Sequence, residues 1–204
     1  MNNFSWYELI ENNSILTQGD ILFNVSVPEI SPSEFEKFTD SSCEKAKDLR
    51  SSIEIIDGIV LTQACDLANC KVDSVILVGI TKLDDFIKDQ IKEKKSLNNI
   101  KSILGSILKG QQHSYHMLDS FHNDSFSMDY LIVNFREIYR IPLDFATSLT
   151  TSSYNKKRLR LLPPYREHLS QAFARFFMRV GLPNNIDQDR FNEAITHSFN
   201  NHKQ

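Results

Sequence analysis

The chain has little of what several protein classes require. Three cysteines, Cys43, Cys65 and Cys70, are too few and odd in number for a disulfide framework, which points to a reducing compartment. Six glycines and six prolines exclude collagen-like and low-complexity chains. No run approaches the roughly 20 apolar residues that span a bilayer. Met1 to Glu11 carries neither a basic start nor a long apolar stretch. The cytoplasm is therefore the expected compartment. Positive charge is not in excess either: 23 Lys and Arg against 26 Asp and Glu leave a net charge of −3, so the chain as a whole is not a basic nucleic-acid binder. No phosphate loop, dinucleotide glycine fingerprint or His-Glu-x-x-His pair occurs, and no cofactor is implied.

What is present is an ordinary globular composition, 41% hydrophobic and 24% charged, in a length that suits one domain over residues 1–204. Residues 15–27 read as a strand entered through a Gly19-Asp20 turn and ended by Pro28. Ser31-Pro32-Ser33-Glu34 has the form of a helix start, opening a charged segment over 28–52. Apolar strands follow over 53–62 and 74–83, separated by a loop at 63–72. Leu83, Phe86, Ile87 and Ile91 fall on one helical stripe, and Leu97, Ile100, Ile103, Leu104, Ile107 and Leu108 on another. A helical insertion over about 83–109 is expected, with Gly110 as its stop. Residues 113–141 return to extended structure, with Leu131, Val133 and Phe135 alternating against Ile132, Asn134 and Arg136. Over 156–162, Arg158 and Arg160 share one face and Leu159 and Leu161 the other. The segment 163–199 reads as helical, its first helix carrying the stripe Leu169, Ala172, Phe173, Phe176, Phe177 and Val180.

Charge placement is the first signal for function. Between Thr151 and Pro183 stand Lys156, Lys157, Arg158, Arg160, Arg166, Arg175 and Arg179 against the single acid Glu167. Arg175 and Arg179 share a helix face with His168 and Gln171. Guanidinium forks bind phosphate oxygens in bidentate fashion, so Arg158, Arg160, Arg175 and Arg179 are the expected phosphate-contacting set. The bland counterpart is that they pair with acids of the same fold.

The loop around Cys65 and Asp66 is the second signal. Cys65 and Cys70, with His113 and His116, make four residues of zinc-ligand type, although the spacing is not that of a zinc knuckle or ribbon. Cys65 with a histidine base would also satisfy the residue list for a thiol nucleophile. No glycine elbow accompanies it, and the Asp66 charge beside the thiol acts against its ionisation.

Gln18-Gly19-Asp20-Ile21-Leu22, then Ile59-Val60-Leu61-Thr62, a loop, and Val75 to Thr81 resemble the MazF/PemK family of toxins. The resemblance covers about a quarter of the chain. It implies a small antiparallel SH3-like barrel that cuts single-stranded RNA without metal, using an arginine before the second strand and a threonine or serine after the third. Thr81 falls at the hydroxyl position, while Ile56, Asp57 and Gly58 stand where the arginine would be. The phrases LTQACDL, RLRLLPPYREHL and FARFFMRVGLP are similar to a recurrent bacterial family of uncharacterised function, which implies a shared fold and no activity.

The expected architecture is α+β: an SH3-like barrel with an inserted helical hairpin and a C-terminal helix over it. The leading expectation for function is a non-enzymatic module of a toxin–antitoxin or phage-defence operon, touching RNA, DNA or a partner protein through the arginines. One alternative is a metal-independent endoribonuclease using Gln63 and Thr81. The other is an interaction domain held by zinc at Cys65, Cys70, His113 and His116.

Overall fold

A computed structural model of the chain describes residues 4–11, 14–30 and 51–178. Its elements in chain order are β1 (Tyr7–Glu11), β2 (Ile21–Ile30), β3 (Ser51–Val60), α1 (Ala64–Ala68), β4 (Ser74–Lys82), α2 (Leu83–Lys92), α3 (Leu97–Leu108), β5 (Tyr115–Leu118), β6 (Phe121–His122), β7 (Ser127–Met128), β8 (Leu131–Pro142), α4 (Leu143–Leu149), β9 (Lys157–Leu161) and α5 (Tyr165–Phe177). The expected helix start at Ser31 and everything from Arg179 onward lie outside the described residues.

Five strands form an antiparallel sheet in the order β2-β3-β4-β8-β5. β1 and β9 form a separate two-stranded ribbon. The expected SH3-like barrel is thus not formed: the sheet stays open, with β2 and β5 as its edges. The reason lies in the pairing of the last strand. β9 pairs with β1 over five residues, from Tyr7↔Leu161 to Glu11↔Lys157, and meets the start of β2 through a single bridge, Asp20↔Arg160. Pro28 does not end β2 either. It sits opposite Ile53 on the sheet edge, where a missing N–H costs no ladder bond.

The two-residue period of the strands sorts side chains onto two faces. On one face Ile21, Ile59, Val78, Leu131, Val133 and Phe135 pack with Leu159 and Leu161 of the ribbon and Leu169 of α5. On the other, Leu22, Val25, Val60, Val75 and Leu77 pack under Leu67 of α1 and Ala146 of α4. Farther along that face Ile132 meets Phe86 of α2 and Ile107 of α3. Each such fully buried aliphatic side chain contributes about 1.5–3 kcal/mol of transfer free energy. The alternation predicted for 131–136 and the helical pair predicted for 83–109 are both observed.

Helix ends follow from local chemistry. At the end of α3, Gly110 has φ +66°, its N–H donates to the Ile107 carbonyl at 2.9 Å, and the Gln111 N–H donates to Ser106 at 2.9 Å. This is the Schellman closure, in which glycine takes the left-handed position. α1 and α2 close the same way with side chains in that position: Cys70 at φ 48° and Lys94 at φ 61°.

One irregularity in the sheet sets up the site. Between Val78↔Ile138 and Gly79↔Asn134 the β4–β8 register shifts. Asn134 closes the resulting bulge, donating to Glu137 Oε1 at 2.7 Å and accepting from the Arg136 N–H at 3.3 Å. Gly79 is needed here, because a Cβ would collide with the Glu137 side chain. The bulge delivers Phe135, fully buried, against Phe173 and Phe176 of α5 at ring distances of 5.5 and 6.1 Å. That contact fixes α5 over the sheet beside β5.

Candidate functional site

α5 turns one stripe inward, through Leu169, Phe173 and Phe176, and leaves His168, Gln171 and Arg175 on another. Those three follow the i, i+3, i+7 spacing of one helix face. Facing them, the Schellman turn at Gly110 leads into β5, whose position is pinned by Phe135 N–H donating to the Ser114 carbonyl at 2.9 Å. The gap between these walls is a cleft of about 340 Å³. Lys109, His113 and His116 line one side, and His168, Gln171 and Arg175 the other.

Among the described residues no carboxylate lines this cleft. Of those that do line it, Lys109 and Arg175 carry fixed charge, and the imidazoles of His113, His116 and His168 stand with them. His116 is half-buried with its ring 6.4 Å from that of Phe135. Burial first, and then the nearby His168 and Arg175, push its pKa down to about 4. Arg175 makes no ion pair with a carboxylate among the described residues; by contrast Arg166, near the start of α5, is held by Glu167 at 2.7 Å.

A second hollow of about 360 Å³ adjoins the first and shares Leu108, Gly110 and His116 with it. Its walls are mainly apolar and aromatic, Trp6, Ile107, Met117 and Tyr130, and Asp119 lines it as well. Trp6 is held in place by stacking on Tyr165 of α5, with ring centroids 3.8 Å apart and planes 10° off parallel. A third, polar hollow contains Gln18, Gln63, Cys65, Glu167 and Ser170, and shares Gln171 with the cationic cleft.

The arginines predicted as one patch separate. Arg158 is fully buried; its Nε donates to Asp20 Oδ2 at 3.0 Å and its Nη2 to the Ser14 carbonyl at 2.7 Å. Arg160 donates through Nε to Asp20 Oδ1 at 2.6 Å and through Nη2 to the Ile15 carbonyl at 2.8 Å. Their donors serve an internal carboxylate, so Arg158 is removed from any surface patch and Arg160 is largely committed. Arg175 lies on the cleft, and Arg179 falls outside the described residues.

The residues grouped as zinc ligands also separate. His113 and His116 line the cationic cleft, Cys65 lines the polar hollow, and Cys70 occupies the left-handed closure of α1. Among the described residues no three metal-ligating side chains come together. Cys65 is exposed, its thiol 3.6 Å from Gln63 Oε1 and 3.7 Å from Asp66 Oδ1, and among the described residues no histidine lines its hollow. The segment read as a loop contains the short helix α1, at whose end Asn69 Nδ2 donates to the Cys65 carbonyl at 2.6 Å.

Gln63 and Thr81 do not converge. Gln63 precedes α1 at the end of the sheet where Leu61 bonds Ile76, whereas Thr81 pairs with Ile132 five residues farther along β4, roughly 16 Å away along the strand. The Gly19-Asp20 pair that carried the toxin resemblance is a structural staple. Gly19, at φ +86°, approaches Leu161 so closely that a Cβ would lie 3.0 Å from its carbonyl oxygen.

Sequence reasoning missed Lys109, Trp6, Asp119 and Tyr130. The stripe His168-Gln171-Arg175 was visible in the spacing, but nothing local reveals which segments face it. No protein-family model matches the chain, and no curated protein matches it at a level that indicates kinship. Among the described residues no helix is long and apolar enough to cross a membrane.

Proposed function

We propose that the protein is a non-enzymatic binding module that takes phosphate groups of a nucleic acid in the cleft between the α3–β5 turn and α5. The observation that carries this reading is the lining: Lys109, His113, His116, His168, Gln171 and Arg175 all offer donors, and among the described residues no carboxylate joins them. Arg175 supplies the guanidinium fork and Lys109 a mobile ammonium. Confined positive charge in a chain of net charge −3 concentrates anions at that point rather than over the whole surface.

The test is anisotropy titration of labelled RNA and DNA against the full chain across a salt series. Binding at low salt that weakens steeply as salt rises is expected, because phosphate neutralisation releases counterions. Absence of binding to any nucleic acid at low salt overturns the reading.

A second reading, RNA cleavage without metal, is favoured by one observation: His116 is held neutral at physiological pH in the same cleft as His168. A neutral imidazole can take the proton of a 2′-hydroxyl as its oxygen bonds to the adjacent phosphorus. The P–O5′ bond then breaks, and a protonated imidazole gives its proton to the leaving 5′ oxygen. Single-stranded RNA that stays intact under a large excess of protein rejects this reading and leaves the binding module.

A further inference from the structure

The two adjoining hollows differ in chemistry, and their arrangement narrows the ligand. One is cationic, with no carboxylate among the described residues that line it; the other is apolar, walled by Trp6, Met117 and Tyr130; they meet at His116, Leu108 and Gly110. At about 340 and 360 Å³, each is of the size that holds a small ligand or part of one. We infer that the pair of hollows holds one unpaired nucleotide of a single-stranded nucleic acid, with its phosphate between Lys109 and Arg175 and its base in the groove of Trp6 and Tyr130.

The inference rests on the phosphate-binding reading above and adds the base to it. Asp119 fixes the direction. It lines the apolar groove and is not among the residues of the cationic cleft, so a phosphate is disfavoured in the groove while a base N–H finds an acceptor there; one of its oxygens already takes the Ser120 N–H at 2.8 Å. Trp6 is presented as a fixed wall: its ring stacks on Tyr165, and its carbonyl accepts from the Leu162 N–H at 2.8 Å. Tyr130 is 45% exposed, an aromatic surface left to solvent beside that groove. Rigid aromatic walls next to a cationic track are what single-strand binding uses, since every base has a π-face, whereas the bases of a duplex remain stacked and out of reach.

Trp6 is the only tryptophan of the chain, so its fluorescence reports this groove alone. The experiment titrates the full chain with a single-stranded oligonucleotide, the same sequence as a duplex, a single strand of abasic sites, a free nucleoside monophosphate and inorganic phosphate. Expected are quenching of Trp6 by the single strand, and binding about 10-fold tighter than to the duplex or the abasic strand. A Tyr130→Ala variant is expected to lose about 10-fold for the intact single strand and nothing for the abasic one. Quenching by the free monophosphate at similar concentration assigns the site to small nucleotides rather than strands and overturns the strand part of the proposal. Equal binding of intact, abasic and duplex forms with unchanged Trp6 emission overturns the base-binding groove while leaving the phosphate cleft in place. No binding by any of them overturns both.

Discussion

The Asp20 carboxylate and the Arg158 guanidinium, 138 residues apart in sequence, meet at 3.0 Å with neither side chain exposed to water. Asp20 also accepts from the Thr17 N–H at 3.1 Å and from Arg160 at 2.6 Å. One carboxylate therefore ties the segment before β2 to β9, serving as counter-ion to the buried Arg158 while also accepting from the partly exposed Arg160. Nη1 of Arg158 is buried and has no hydrogen-bond partner among the described residues, so the ion pair bears much of the desolvation cost.

Asp20→Asn keeps the shape and removes the charge. Leaving Arg158 buried without a counter-ion is expected to lower stability by about 3–5 kcal/mol. Urea denaturation measures it. A loss under about 1 kcal/mol would mean that the pair contributes no more than an exposed one.

Arg175→Gln should behave in the opposite way. Arg175 lies on an open cleft with no described carboxylate to release, so the folded protein is expected to keep its stability to within about 0.5 kcal/mol. Its nucleic-acid affinity should fall, and the slope of log affinity against log salt should shrink by about one phosphate contact. An unchanged slope would place the phosphate elsewhere.

Cys70 and Lys94 occupy left-handed positions at the ends of α1 and α2, where glycine carries no Cβ penalty. Cys70→Gly and Lys94→Gly are each expected to stabilise by about 1 kcal/mol, the usual cost of that conformation for a residue with a side chain. Thermal or urea melts with either variant at or below wild-type stability would contradict this.

These positions show what could be read from the chain and what could not. The helical stripe of α3 and the Gly110 stop depend on residues within a few positions of one another, and local pattern suffices for them. The alternation in β8 was equally plain. Arg158 and Arg160 looked exposed because two charges on one strand face normally are. Their partner lies across the fold, and no spacing announces a buried carboxylate. The open sheet was misread as a barrel for a related reason: closure depends on whether β9 chooses β1 or β2, a choice made by tertiary packing of short strands. The cleft needed both the α5 stripe, which was legible, and the placement of β5 and Trp6 beside it, which was not.

His116 gives the last prediction. It shares its cleft with Lys109 and His113 from the α3–β5 connection and with His168 and Arg175 from α5, and its ring lies beside that of Phe135; Asp119 lines the adjoining groove. In the folded chain it stays neutral down to about pH 4, whereas in the unfolded chain it takes a proton at about 6.5. Between those values the unfolded state binds the extra proton, so stability is fully present above about pH 6.5 and falls as acid is added toward pH 4. His116→Gln, neutral at every pH, should flatten that part of the thermal unfolding profile while leaving the neutral-pH plateau in place. Phosphate bound beside the ring brings negative charge that favours the imidazolium. Added phosphate should therefore raise the unfolding midpoint of the wild type more at about pH 5 than at about pH 7, and His116→Gln should lose that difference. An acid profile identical in the two proteins would show that His116 is not the group whose burial costs stability there.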